Sequence, residues 1–170
     1  MIPLRSLMDS WASSDLDAFL DSFSCSRDSD LETFLKTKAV VFEKMDRSRT
    51  YLFLDEGRIA GYVSLSTTVL DLSRCTKLSN KLVKKLHLSN GVTAAFLIGQ
   101  LGKADYIEDK LGVKMIDFAK SLFDKTRSIS GGRIICVDCK EQLVHYYESL
   151  NFRVINKDEE TDLYRLIWIF

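Results

Sequence analysis

Proline is nearly absent from this chain, and long apolar runs are absent altogether. Pro3 is the sole proline, and the eight glycines are scattered through 170 residues. No Pro-rich spacer and no Gly/Ser linker therefore marks a boundary, and the composition predicts one domain over residues 1–170. No segment reaches the ~18 consecutive apolar residues that a membrane-crossing helix needs. The amino terminus, MIPLRSLMDSW, lacks the charged-then-apolar order of a secretion signal. The expectation is a cytoplasmic protein without a membrane partner. Neither sign of charge is in excess, with 24 basic residues against 24 acidic ones. That balance argues against a broad electropositive surface for duplex nucleic acid. The one local basic run, KLVKKLHL with Lys81, Lys84, Lys85 and His87, reads as the solvated face of a helix.

Histidine and cysteine are also sparse, at two and four. His87 and His145 have no ligand spacing. Cys136-Val137-Asp138-Cys139 is a CxxC, but a zinc site needs a second pair, and Cys25 and Cys75 stand alone. A redox CxxC usually opens a helix; here the pair reads as a buried strand cysteine followed by a turn cysteine. No metal is expected. The scattered thiols fit a reduced compartment better than a disulfide framework.

What the chain does have is 46% apolar and 11% aromatic residues, enough for a substantial core. Leu16, Phe19, Leu20 and Phe23 repeat at helical spacing, so Asp15 to Phe23 is predicted helical with Ser14 as its cap. A second stripe, Leu31, Phe34, Leu35, Ala39 and Phe42, predicts a helix from Asp30 to Met45, with the Lys38 stem over its edge. Arg49 to Leu54 and Arg58 to Ser66 read as strands around the hairpin turn Asp55-Glu56-Gly57. Leu78 to Leu88 is helical or loop-like, with Asn90-Gly91 as a turn. Val92 to Leu101 reads as a central buried strand. A wide apolar face on Leu111, Met115, Phe118 and Leu122 predicts a helix from Glu108 to Lys125. Arg133 to Val137, a helix ending in YYESLNF, Phe152 to Asn156 and Leu163 to Phe170 complete the order. The pattern is a mixed α/β sheet with helices on both faces.

The segment GGRIICVDCKEQLVHYYESLNF resembles the last part of the GNAT (GCN5-related N-acetyltransferase) core, where a strand leads to a helix ending in FYxxxGF. Here the phrase has Tyr146 for Phe and Asn151 for Gly. The element order over roughly residues 15 to 170 is that of GNAT domains. FSCSRDSDLETFLKTKAVVFEKMDRSRTYLFLDEGRIAGYVSLS is similar to the opening of bacterial GNAT proteins, several of them toxins that acetylate aminoacyl-tRNA. The resemblance implies a GNAT fold and acetyl-CoA as acyl donor. It also implies an N-acetyltransferase that moves the acetyl group to an amine acceptor by direct attack in a ternary complex.

The resemblance further implies where the site lies. Leu101, Gly102 and Lys103 would offer backbone groups to the pantetheine arm, and Glu108, Asp109, Lys110, Leu111 and Gly112 would form the pyrophosphate loop. Aligned on Gly112, that loop reads Ile107-x-x-Lys110-x-Gly112 where the family has Gln/Arg-x-x-Gly-x-Gly/Ala. Tyr147 would be the general acid that protonates the departing thiolate. Asp138 and Asp105 are the candidate bases, and His145 points elsewhere on the helix. Two copies could pair through the apolar Leu163 to Phe170 strand. The alternative reading is a non-catalytic GNAT-like interaction module whose altered loop no longer binds CoA.

Overall fold

A computed structural model describes residues 1–72, 75, 78–86 and 91–170. His87, Asn90 and the Lys85 side chain, named above for the basic run and its turn, lie outside the described residues. The strands form a seven-stranded mixed sheet in the order β1-β2-β3-β4-β5-β7-β6. By internal contacts the chain divides into two units, residues 1–66 with 99–119, and residues 67–98 with 120–170.

The first unit is built around the predicted hairpin. β2 (Arg49–Asp55) and β3 (Arg58–Asp71) pair antiparallel. Glu56 and Gly57 both take positive φ, 47° and 79°, as a two-residue hairpin turn with the right twist requires. The register shifts between Phe53 and Leu54, so Ile59 and Tyr62 share a face despite their odd spacing. That face packs against α1 (Leu4–Ser10), α2 (Ser13–Asp21) and the helix after them. The other face carries Ala60 and Phe53 against Leu111 and Met115 of α6 (Leu111–Ser130). Tyr51 and Phe53 both meet the Phe118 ring edge-on. Helices therefore cover both faces of this unit's sheet.

Four sequence expectations change here. A first helix, α1, and a two-residue edge strand, β1 (Ile2–Pro3), precede everything predicted. Helix α2 starts at Ser13 with Ala12 at its cap position, so Ser14 lies inside the helix and bonds the Asp15 carboxylate instead. The predicted Asp30 to Met45 helix is α3 (Ser29–Thr33), a π-turn over Phe34–Lys38, and α4 (Ala39–Lys44). In the π-turn the Ala39 amide reaches Phe34, five residues back. The Tyr62 hydroxyl donates to the Leu31 carbonyl at 2.6 Å just where that ladder widens, a local cause for the irregularity.

Glu43 of α4 is 1% exposed. Its carboxylate accepts from the Thr50 amide at 2.6 Å and from Arg49 at 3.2 Å, fastening α4 to the start of β2. A buried hydroxyl chain, Thr50 to Ser64 to Ser48, continues beside it.

In the second unit β4 (Val92–Lys103) runs parallel to β5 (Ile134–Cys139), Phe96 to Ile98 lying against Ile135 to Val137. β5 and β6 (Arg153–Lys157) both pair antiparallel with β7 (Tyr164–Ile169). β7 is thus internal, with ladders on both sides, and offers no edge for the strand pairing between copies that its apolar sequence suggested. One face of this unit buries Leu70, Ile134, Cys136, Ile155 and Ile167 with residues of α5 (Asn80–Lys85). On the other, Phe96 stacks on Phe123 of α6 with ring centroids 4.7 Å apart.

Candidate functional site

Leu101 to Gly112 belong to the first unit and Tyr147 to the second. Leu101, Gly102 and Lys103 end β4, as the spacing predicts, and Gly102 is buried. A Cβ on Gly102 would sit 2.6 Å from the Tyr62 ring, and one on Gly61 would sit 2.8 Å from the Gly102 carbonyl oxygen. Close passage of β3 past β4 accounts for both glycines. The residue type at 102 thus answers to packing, and only its backbone remains for a ligand. Gly61→Ala is expected to cost about 1–3 kcal/mol, since the obstructing atom is backbone and cannot swing away. An unchanged denaturation midpoint would contradict this.

Helix α6 begins at Leu111, three residues later than the sequence suggested. Glu108, Asp109 and Lys110 therefore lie in the preceding loop and are exposed. Asp109 pairs with Lys114 at 3.0 Å, and that bond is the main reason its carboxyl sits below the usual range. Lys103 donates to the Asp109 carbonyl at 3.2 Å. Leu111 turns its side chain into the core with Ala60 and Met115, and Gly112 falls in the first turn of the helix. Lys110 is exposed and has no ion-pair partner among the described residues, which leaves it able to meet a phosphate.

The two candidate bases are both engaged. Asp105 accepts from the Ser24 hydroxyl at 2.7 Å and from the amide and hydroxyl of Ser26. The Ser26 amide is the main reason its carboxyl sits below the ordinary range. It ties the loop after α2 to the end of β4 and borders a cleft of about 210 Å³ with Ser22, Arg58 and Tyr106. Asp138 forms a two-pronged pair with Arg165 across β5 and β7, both bonds at 2.7 Å. Both of its carboxylate oxygens are thus engaged by the guanidinium. Both residues act as tethers in this structure.

Tyr147 lies on α7 (Val144–Ser149), which follows a single 3₁₀ turn, Glu141–Leu143. It is 5% exposed. Burial, helped by the Cys139 thiol and by Tyr146, pushes its phenol well above the ordinary value. The helix stops in a Schellman motif: the Phe152 amide bonds the Tyr147 carbonyl at 3.1 Å and the Asn151 amide bonds Glu148 at 2.9 Å. Asn151 takes φ 66°, the left-handed position that glycine fills in the FYxxxGF phrase and that asparagine tolerates best among other residues. The Phe152 and Tyr147 rings meet edge-on at 5.6 Å, the apolar contact that usually accompanies this stop. His145 points away, with its side chain 97% exposed. Cys139 is the last residue of β5 and not a turn residue. Burial raises Cys136 to about 12 and Cys139 to about 11, so neither thiol is poised for nucleophilic chemistry. Among the described residues no group of three His, Cys, Asp or Glu side chains could hold a metal, and no helix is long and apolar enough to cross a membrane.

No protein-family model matches the chain, and no curated protein sequence does. Solved structures do. AtaT complexed with acetyl-methionyl-tRNAfMet superposes with a TM-score of 0.73 at 19% identity, over 88% of this chain and 86% of AtaT. A tyrosine-to-phenylalanine mutant of KacT gives 0.73 at 20% identity, over 90% of each chain. A mutant AtaT toxin bound to acetyl-CoA and the C-terminus of the antitoxin AtaR gives 0.67 at 17% identity, over 88% of this chain and 84% of that one. The chain has the GNAT fold. Within that fold, β4 and the start of α6 are the elements that the sequence resemblance assigned to the acyl donor, and α7 is the helix assigned to the general acid.

Some of what surrounds Tyr147 was not legible in the chain. Lys120, Phe152 and Trp168 meet beside α7, with the Lys120 ammonium 5.0 Å from one ring centroid and 4.7 Å from the other. The three positions are too far apart in sequence for any periodic signal to connect them.

Proposed function

We propose that residues 1–170 act as a single-domain N-acetyltransferase that moves the acetyl group of acetyl-CoA to a primary amine. The observation that carries this reading is the likeness of fold, over 88% of the chain, to AtaT solved with an acetylated aminoacyl-tRNA. The amine lone pair attacks the thioester carbonyl directly, without an acyl-enzyme. The tetrahedral adduct collapses, the carbon–sulfur bond breaks, the thiolate takes the Tyr147 proton, and water then returns a proton to the phenol. The amine proton leaves to water, because Asp105 and Asp138 are committed elsewhere. Its burial keeps the phenol protonated, so Tyr147 can donate a hydrogen bond as charge grows on sulfur. The backbone of Leu101 to Lys103 orients the pantetheine arm. Lys110 and the amides from Leu111 to Gly112 take the pyrophosphate, where unpaired amides and the helix dipole favour an anion.

The finer reading is an aminoacyl-tRNA acceptor. It is supported by the same AtaT complex and by the toxin-like opening of the chain. The balanced charge of 24 against 24 means that any RNA contact would rest on a local basic face and not on net charge.

One observation favours the non-catalytic alternative. Asp109 carries an exposed carboxylate in the loop just before α6, where the resemblance puts the pyrophosphate. Calorimetric titration of acetyl-CoA into the protein and into Asp109→Asn decides between the two. Micromolar binding is expected, tightened about threefold to tenfold by the substitution as the repulsion is removed. No binding at millimolar ligand by either protein would sink the enzyme reading and leave an interaction module. Transfer of labelled acetyl to charged tRNA, compared with free amines and peptides, then tests the acceptor.

A further inference from the structure

We propose that Lys120 is a positioning residue for Tyr147, acting through the helix stop that ends α7. The inference rests on the acetyltransferase reading. The Lys120 Nζ donates to the Leu150 carbonyl at 3.0 Å. Leu150 is the C-cap of α7, and its carbonyl is one of those that a helix end leaves without an internal donor. A cation there also meets the negative end of the helix dipole. The same ammonium lies over the Phe152 and Trp168 rings, 5.0 Å and 4.7 Å from their centroids, within the range of cation–π attraction.

Phe152 is the residue whose amide closes back on the Tyr147 carbonyl at 3.1 Å and whose ring packs on the Tyr147 ring. One side chain of α6 thus holds two of the three residues that terminate the Tyr147 helix. Trp168 on β7 supplies the fixed wall behind it. Helix α7 has six residues, too few to be rigid by its own hydrogen bonds, so the angle at which it presents Tyr147 depends on such external ties. The substituted Gly of the FYxxxGF phrase strengthens the need. Asn151 holds the left-handed turn at greater conformational cost than glycine would, and the Lys120 contact adds support on the next residue to either side.

The test combines steady-state kinetics with amide exchange on Lys120→Met, Lys120→Arg, Tyr147→Phe and the double variant Lys120→Met/Tyr147→Phe. Methionine keeps the length and packing of the stem and removes the charge and the donor. K120M is expected to lower kcat about tenfold with KM for acetyl-CoA within twofold, as a misplaced acid would. K120R, which keeps a cation over both rings and a donor for Leu150, is expected to recover at least half. In the Y147F background K120M should cost little more, because a positioning residue has nothing left to position. By NMR, the Asn151 and Phe152 amides should exchange about tenfold faster in K120M.

Full additivity in the double variant, or a loss of kcat with unchanged exchange at these amides, overturns the proposal. So does wild-type kcat and wild-type exchange in K120M. If instead Y147F retains full activity, it is the general-acid reading that fails. The exchange measurement still judges the contact on its own.

Discussion

Tyr147→Phe is expected to lower kcat by about 10²–10³-fold while acetyl-CoA affinity stays within twofold. The substitution removes one oxygen from a side chain that is 5% exposed and leaves its ring contacts with Tyr146 and Phe152 in place, so the fold should be undisturbed. Under the proposed mechanism, what is lost is the proton that reaches the departing sulfur, a contribution of that order for a well-placed acid. The affinity is spared because the hydroxyl matters most when charge has developed on the thiolate, not in the ground state. The pH profile supplies a second check. Burial raises the Tyr147 phenol above its ordinary value, so its protonated, active form persists as pH rises. No alkaline loss attributable to this group should appear below pH ~10. An unchanged kcat in Y147F, with acetyl-CoA still bound, would remove Tyr147 from the mechanism and shift attention to water as the proton source.

The largest expected effect on stability is at Glu43. Glu43→Ala should destabilise the protein by about 3 kcal/mol. The carboxylate is 1% exposed and is the partner of the Thr50 amide, itself on a residue with no exposure. Deleting it leaves that amide buried without an acceptor, and an unmade buried hydrogen bond costs more than a made one contributes. No part of the figure is assigned to Arg49, whose side chain is 47% exposed and whose pairing is screened by water. Glu43→Gln retains a carbonyl for Thr50 and should recover more than half the loss. Thermal unfolding reads both variants, with a fall of roughly 6–12 °C expected for E43A. A midpoint within one degree of wild type for E43A would show that water replaces the carboxylate.

Neither effect was equally visible in the chain. Tyr147 stood out because a short β-branched strand leads to YYESLNF, a phrase with a known relative. The structure then explained its asparagine in place of glycine through the φ of 66° at Asn151. Glu43 gave no signal at all. It sits among Phe42, Lys44 and Met45 as one more polar residue near a helix end, and only the return of the chain through Thr50 makes it a buried acceptor. The glycines at 61 and 102 are intermediate. Each looked like a family or ligand feature, and each is required by a neighbour, the Gly102 carbonyl in one case and the Tyr62 ring in the other.

The same division holds for the fold. Period-two and period-3.6 patterns are local, so strands β2 to β7, the hairpin turn and the long apolar face of α6 could be read directly from residue order. The sequence alone thus determined the order of the main elements from α2 to β7. Tertiary structure decided the rest. It decided that α6 starts at Leu111, which leaves Glu108 to Lys110 in the loop before it, with Asp109 paired to Lys114. It decided that β7 lies between β5 and β6 and not at an edge. It decided that Asp105 and Asp138 are tethers, because Ser24, Ser26 and Arg165 reach them from distant parts of the chain. In each case the deciding contact is a hydrogen bond, which is directional and specific to a neighbour. Apolar burial, by contrast, needs only a face, and a face is written in the spacing of the residues themselves.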